Sequence, residues 1–135
     1  MNANKYLRLL AIISDIIGVT DCIFCKIAKK EIPTEFLYED DMVMVFKDAR
    51  PIAPVHVLII PKRHIESITD LNDDDEKLAG RLIMVAKKIA QDMGISRSGY
   101  KLLFRVGKHG GQEVPHIHLH LIGGAPLSEG IRPIE

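Results

Sequence analysis

The segment His116-Ile117-His118-Leu119-His120-Leu121-Ile122 constrains this chain more than any other. Polar and apolar residues alternate strictly along it. On a β-strand, residues i, i+2 and i+4 share a face. The segment therefore predicts a strand over His116–Ile122 with three imidazoles on one side and Ile117, Leu119 and Leu121 turned into a core. One strand histidine is ordinarily solvated or hydrogen-bonded and carries no message. Three in register opposite the core point to chemistry. A metal site is one option, because neutral imidazole is a common zinc ligand. Nucleophilic catalysis is the other, because an unprotonated ring nitrogen is available near neutral pH and attacks phosphorus well.

The loop leading into this strand favours an anion. Gly107-Lys108-His109-Gly110-Gly111-Gln112-Glu113-Val114 is rich in glycine, and glycine lets backbone N–H groups approach an anion closely. The G-x-x-x-x-G-K-[ST] pattern of a P-loop is absent. Taken alone the loop reads equally well as a tight turn. Joined to three alternating histidines it fits a phosphate site.

The rest of the chain supplies the frame. Phe36–Glu39 and Met42–Lys47 are β-like runs around the acidic turn Glu39-Asp40-Asp41, and His56–Ile60 is an apolar strand stopped by Pro61. Two prolines make Arg50–Pro54 a loop. A helix begins near Asn72-Asp73-Asp74, with Asp73 and Glu76 at capping-box spacing. Leu78, Leu82, Val85, Ile89 and Met93 recur every three or four residues as one buried stripe. Gly94 is the stop. Tyr100–Gly107 is a further strand. This order predicts an α+β fold: an antiparallel meander sheet with one long helix inserted. Residues 21–135 form the domain and residues 1–20 an extension. Apolar residues at 9, 10, 13, 16 and 17 give the extension helical spacing, so it reads as a short amphipathic N-terminal helix. A frayed extension and a membrane-surface helix are the alternatives. The segment is too short and too polar to span a bilayer.

Composition narrows the partners. Lys+Arg is 18 and Asp+Glu is 18 in 135 residues, for a net charge of zero. A binder of nucleic acid that works by counterion release needs a basic surface, and so does a polybasic membrane anchor. A chain of this length buries roughly two-thirds of its unfolded surface and needs no disulfides. Cys22 and Cys25, spaced C-x-x-C, are the two cysteines. They read as a metal knuckle, a redox pair or two buried thiols in a reducing compartment, the cytoplasm.

His-Ile-His-Leu-His-Leu-Ile resembles the signature of the histidine triad family. The likeness runs from Asp21 to Gly124. It includes D-C-I-F-C-K-I, F-K-D-A-R-P-I-A-P-V-H-V-L-I-I-P-K-R-H and G-G-Q-E-V-P-H-I-H-L-H. Gly123-Gly124 and the D-D-D-E-K-L helix start are similar to the Hint, or nucleotide-binding, branch. The resemblance implies a homodimer that hydrolyses purine nucleoside phosphoramidates, such as those of AMP or GMP, through a nucleotidyl-histidine. A non-catalytic nucleotide-binding adaptor is the alternative. By resemblance His118 is the nucleophile, His120 contacts the phosphate and His56 supports the proton network, with His116 completing the catalytic group. Asp48 and Ala49 fall at the ribose. Phe24, Ile27, Phe46 and Leu58 wall the base pocket, with plain core as the bland reading. Arg105, Gly111, Gln112 and Glu113 line the phosphate loop. Cys-containing members imply a structural zinc on Cys22, Cys25, His64 and His116. Two features depart from the family. Arg105 stands where Asn is usual, and the tail Ala125–Glu135 lacks an aromatic end.

Overall fold

The computed structural model describes residues 22–134. The helix expected over residues 1–20 lies outside them. The elements run α1 (Ile23–Ala28), β1 (Phe36–Glu39), β2 (Val43–Lys47), β3 (Val55–Pro61), α2 (Glu76–Asp92), β4 (Tyr100–Phe104) and β5 (Leu119–Gly123). Among the described residues, no helix is long and apolar enough to cross a membrane.

The five strands form one antiparallel sheet in the order β1-β2-β3-β5-β4. Strands β1 to β3 are a meander, as expected. The last strand departs from it. Helix α2 carries the chain across the sheet and β4 is laid at the far edge. The glycine-rich loop then returns β5 into the slot between β3 and β4. The histidine strand is therefore an interior strand, paired on both sides.

Sheet alternation sorts the residues into two cores. Val43, Val45, Val57, Ile59, Leu119 and Leu121 face α2. The helix presents Leu78, Leu82, Val85 and Ile89 to them, as its spacing predicts, and Met93 packs at the margin. Gly94, at φ +74°, ends the helix in the left-handed region that glycine occupies without strain. On the other face Met44, Phe46, Leu58 and Ile60 meet Ile23, Phe24 and Ile27 of α1.

Three boundaries differ from the sequence expectation. The capping contact sits one residue early: the Asp75 carboxylate accepts the Asn72 N–H at 2.9 Å, and a short 3₁₀ turn, Asp73–Asp75, precedes α2. Strand β4 stops at Phe104, the residue opposite Leu119 where β5 begins, so residues 105–107 have no ladder to join. The predicted strand His116–Ile122 starts only at Leu119. Before it, the Ile117 N–H donates to the Ile65 carbonyl at 2.8 Å, which diverts residues 116–118 from a strand partner. Alternation survives: Ile117 still enters the α2 core and His116 and His118 still turn to the α1 side.

Asp40 anchors the β1–β2 turn to α2. Its carboxylate accepts from the N–H groups of Met42 and Val43, from the Tyr38 hydroxyl and from Arg81. Burial opposes its ionisation, but the bonds from Arg81 and the two N–H groups outweigh it and hold the carboxyl well below the usual range.

Candidate functional site

Five of the six histidines gather on the α1 side of the sheet, in two adjoining clusters; His109 is exposed on the glycine loop. The first cluster holds Cys22, Cys25, His64 and His116, whose ligand atoms all lie within 4.8 Å of one another. Cys22 Sγ is 3.2 Å from His116 Nδ1, and Cys25 Sγ is 3.2 Å from His64 Nδ1. The two Nδ1 atoms are 3.3 Å apart. Tetrahedral zinc with Cys and His ligands separates its donor atoms by about 3.3–3.8 Å, so the spacing fits. The tautomer fits as well. His116 Nε2 donates to the Pro61 carbonyl at 2.8 Å, which leaves Nδ1 as a bare lone pair facing the thiols. Burial pushes the Cys22 thiol up to about 12 and holds His116 down to about 4. Thiolates at this spot call for a bound cation.

The second cluster is a relay of rings. The Ile52 N–H donates to His56 Nδ1 at 3.2 Å, so the His56 proton resides on Nε2. That atom lies 2.9 Å from His120 Nδ1 and 3.3 Å from Asp48 Oδ2. The proton is shared between the two, and His120 Nδ1 accepts. The remaining His120 proton is then on Nε2, which is buried without a partner among the described residues. A buried orphan donor is costly unless a ligand accepts from it. His118 Nδ1 donates to the His116 carbonyl at 2.8 Å, which frees the lone pair of its Nε2. The His118 and His120 rings are 5.0 Å apart, centroid to centroid. Burial keeps both neutral: it lowers His118, and it brings His120 down to about 3. A neutral nucleophile therefore sits beside a neutral N–H donor.

Most of the expected site residues converge here. The Asp48 carboxylate also accepts the Arg50 N–H at 2.8 Å, while Ala49 is exposed on the same loop. Phe24 packs edge-on against His118 at 5.1 Å and against Phe46 at 5.6 Å. The apolar set Phe24, Ile27, Phe46 and Leu58 is only 1–5% exposed. Packed between α1 and the sheet, these residues form a floor beneath the site. Sequence reasoning missed Ile52, whose backbone N–H fixes the His56 tautomer while its side chain is 66% exposed; a backbone contact of this kind leaves no signal in residue type.

Gln112 also has a different task from the one expected. Its Oε1 accepts the Gly107 N–H at 3.2 Å, and its Nε2 donates to the carbonyls of Glu66 and Val114. With three backbone partners the amide braces the loop and has little left for a phosphate. Gly111, at φ +76°, and Glu113 remain exposed on the loop, and the Glu113 charge reaches His118. Gln112→Ala is expected to lower stability by about 1–2 kcal/mol, because three hydrogen bonds that brace the loop are lost together and their exposed or half-buried partners turn to water. Thermal denaturation measures it, together with faster amide exchange over residues 107–112.

Known proteins match this arrangement. The family model described as scavenger mRNA decapping enzyme C-term binding matches residues 21–131. A purine nucleoside phosphoramidase of Escherichia coli is 49% identical over 107 residues, 79% of this chain and 90% of that protein. A HIT family hydrolase from Legionella pneumophila superposes with a TM-score of 0.80 at 52% identity, covering 82% of this chain and 98% of that one. A histidine triad protein from Clostridium difficile gives 0.79 at 42% identity, covering 81% and 95%. With the alternating histidines, the two-faced sheet and this breadth of likeness, the chain belongs to the histidine triad family.

Proposed function

We propose that this protein is an enzyme that hydrolyses purine nucleoside phosphoramidates, with His118 as nucleophile. The observation that carries the reading is the pair of ring nitrogens on one buried face. His118 Nε2 has a free lone pair because Nδ1 is bound to the His116 carbonyl, and His120 Nε2–H has no partner. His118 Nε2 attacks phosphorus, and the bond from phosphorus to the leaving nitrogen breaks. The amine departs with the bond pair and takes up a proton. Water then attacks the same phosphorus, the bond to Nε2 breaks, and a nucleoside monophosphate leaves with His118 again neutral. The orphan N–H of His120 meets a phosphate oxygen, where charge grows in the transition state. His56 positions His120, and the Asp48 carboxylate retains lone pairs to accept ribose hydroxyls. The base packs on Ile52 above the apolar floor, and a purine such as that of AMP or GMP fills it best. The N–H groups of the glycine loop, around Gly111, complete the phosphate cradle.

Three further features belong to this reading. A structural zinc ties Cys22 and Cys25 to His64 and His116, supported by the donor spacing and the His116 tautomer. A homodimer is supported by Ile83 and Met84, exposed on α2, and by Leu102, 37% exposed on edge strand β4. The cytoplasm suits two free thiols.

The test is to mix the protein with adenosine 5′-phosphoramidate, follow AMP release, and quench in alkaline denaturant, because phosphorus–nitrogen bonds are labile in acid. Turnover together with an AMP adduct on His118, trapped at alkaline pH, is the expected result. Tight AMP binding without turnover across several phosphoramidates would mean a nucleotide-binding adaptor instead.

A further inference from the structure

The sheet order acts as a ruler across the site. Phe46 and Leu58 lie on β2 and β3, and Asp48 follows β2 directly. These place a nucleoside over the β2–β3 side. His120 lies on β5, with His118 just before it, so the reacting phosphorus sits there. Beyond β5 there is only β4, the edge of the sheet. A leaving group that continues in the same direction passes over the end of β4.

Arg105 stands at that end. Leu103 pairs with His120 across the β4–β5 ladder, and Arg105, two residues on, continues the same face. Its Cδ and Nη1 are 3.9 Å from the point where a Cβ on Gly111 would stand, so the side chain lies alongside the glycine loop. Among the described residues no hydrogen bond or ion pair occupies its guanidinium. Burial is the first cause that lowers His56, His118 and His120, but the Arg105 charge adds to it at all three rings. The cation therefore lies beside the glycine loop, within electrostatic reach of the reacting centre.

We infer that Arg105 is a specificity-determining residue that selects phosphoramidates whose leaving amine carries a carboxylate or phosphate. The inference rests on the phosphoramidase reading above and adds the chemical class of the leaving group. A guanidinium is always charged, has donors only, and presents them as a planar fork that matches a carboxylate or a phosphate. The phosphate under attack already has the His120 N–H and the loop N–H groups. A fixed positive charge beyond it is matched by a second anion.

Two substrates decide the matter: the adenosine 5′-phosphoramidate of aspartic acid and that of its neutral diamide. They are alike in size and differ by two negative charges. The ratio of their kcat/KM values is measured for wild type, Arg105→Gln and Arg105→Lys. Arg105→Gln should lower the acid-to-diamide ratio about tenfold or more, on the scale of a lost charged hydrogen bond. Arg105→Lys, which keeps the charge but not the fork, should recover part of it. Both rates come from one preparation, so any misfolded fraction cancels. An unchanged ratio in Arg105→Gln overturns the inference, even if both rates fall. Should wild type turn over the diamide yet leave the ratio insensitive, the phosphoramidase reading stands and only this inference fails. Should wild type turn over neither, both fail.

Discussion

His118→Gly is expected to lower the turnover of adenosine 5′-phosphoramidate by about 10⁴-fold or more, the scale on which enzymes lose rate when a covalent nucleophile is removed. The reason lies in the ring's surroundings. Its Nδ1 is committed to the His116 carbonyl, burial keeps it neutral, and Phe24 packs edge-on at 5.1 Å. No other histidine on this face offers an unencumbered lone pair. His56 Nδ1 accepts from Ile52, His120 Nδ1 accepts from His56, and the Nδ1 atoms of His116 and His64 face the thiols. Single-turnover kinetics measure the loss, and the AMP adduct should vanish with it. Free imidazole, entering the space left by the ring, should restore part of the rate. Circular dichroism checks that the variant is folded. A variant that keeps its rate within tenfold of wild type would show that the nucleophile lies elsewhere.

The double variant Cys22→Ser, Cys25→Ser is expected to lose one zinc ion per chain and roughly 10 °C in thermal midpoint. A site filled to 100 or 1,000 times its dissociation constant contributes about 3–4 kcal/mol, and about 1 kcal/mol shifts the midpoint of a chain this long by a few degrees. The serine oxygens cannot replace thiolate donors. A strong chelator should move wild type to the same midpoint and leave the variant where it is, and should expose two titratable thiols. Activity should fall too, indirectly. His116 joins the clip through its ring, and its carbonyl holds His118 Nδ1, so a loosened clip lets the nucleophile tilt. Metal analysis of the purified protein decides the matter. A chain with no zinc and a midpoint insensitive to chelation would leave Cys22 and Cys25 as ordinary half-buried thiols.

Much of this was legible along the chain, and the reason is periodicity. The helix stripe Leu78, Leu82, Val85 and Ile89 and its stop at Gly94 follow from helical spacing and from glycine's freedom at positive φ. The alternation from His116 to His120 follows from the pleat, and it put the three imidazoles on one face even where the strand ladder itself begins later. Local rules of this kind need no knowledge of the partner. Gln112 and Ile52 illustrate the limit. An amide in a glycine loop looks like a phosphate ligand until the backbone carbonyl of Glu66, far away in sequence, accepts its N–H. Ile52 looks like any loop residue until His56 comes to lie against its N–H.

By itself, the sequence determined the α+β class and the common face of His116, His118 and His120, which depend on residue type and on periodicity; the set Cys22, Cys25, His64 and His116 was implied by the family resemblance. Only the tertiary structure decided that β5 slots between β3 and β4, because strand order depends on how α2 crosses the sheet. Only it assigned the ring protons. His120 and His116 owe their tautomers to His56 and the Pro61 carbonyl, both brought in from β3, and His56 and His118 owe theirs to backbone groups four and two residues away that the fold turns toward them. Those contacts turn five histidines into two distinct sites, and they exist only once the sheet has closed.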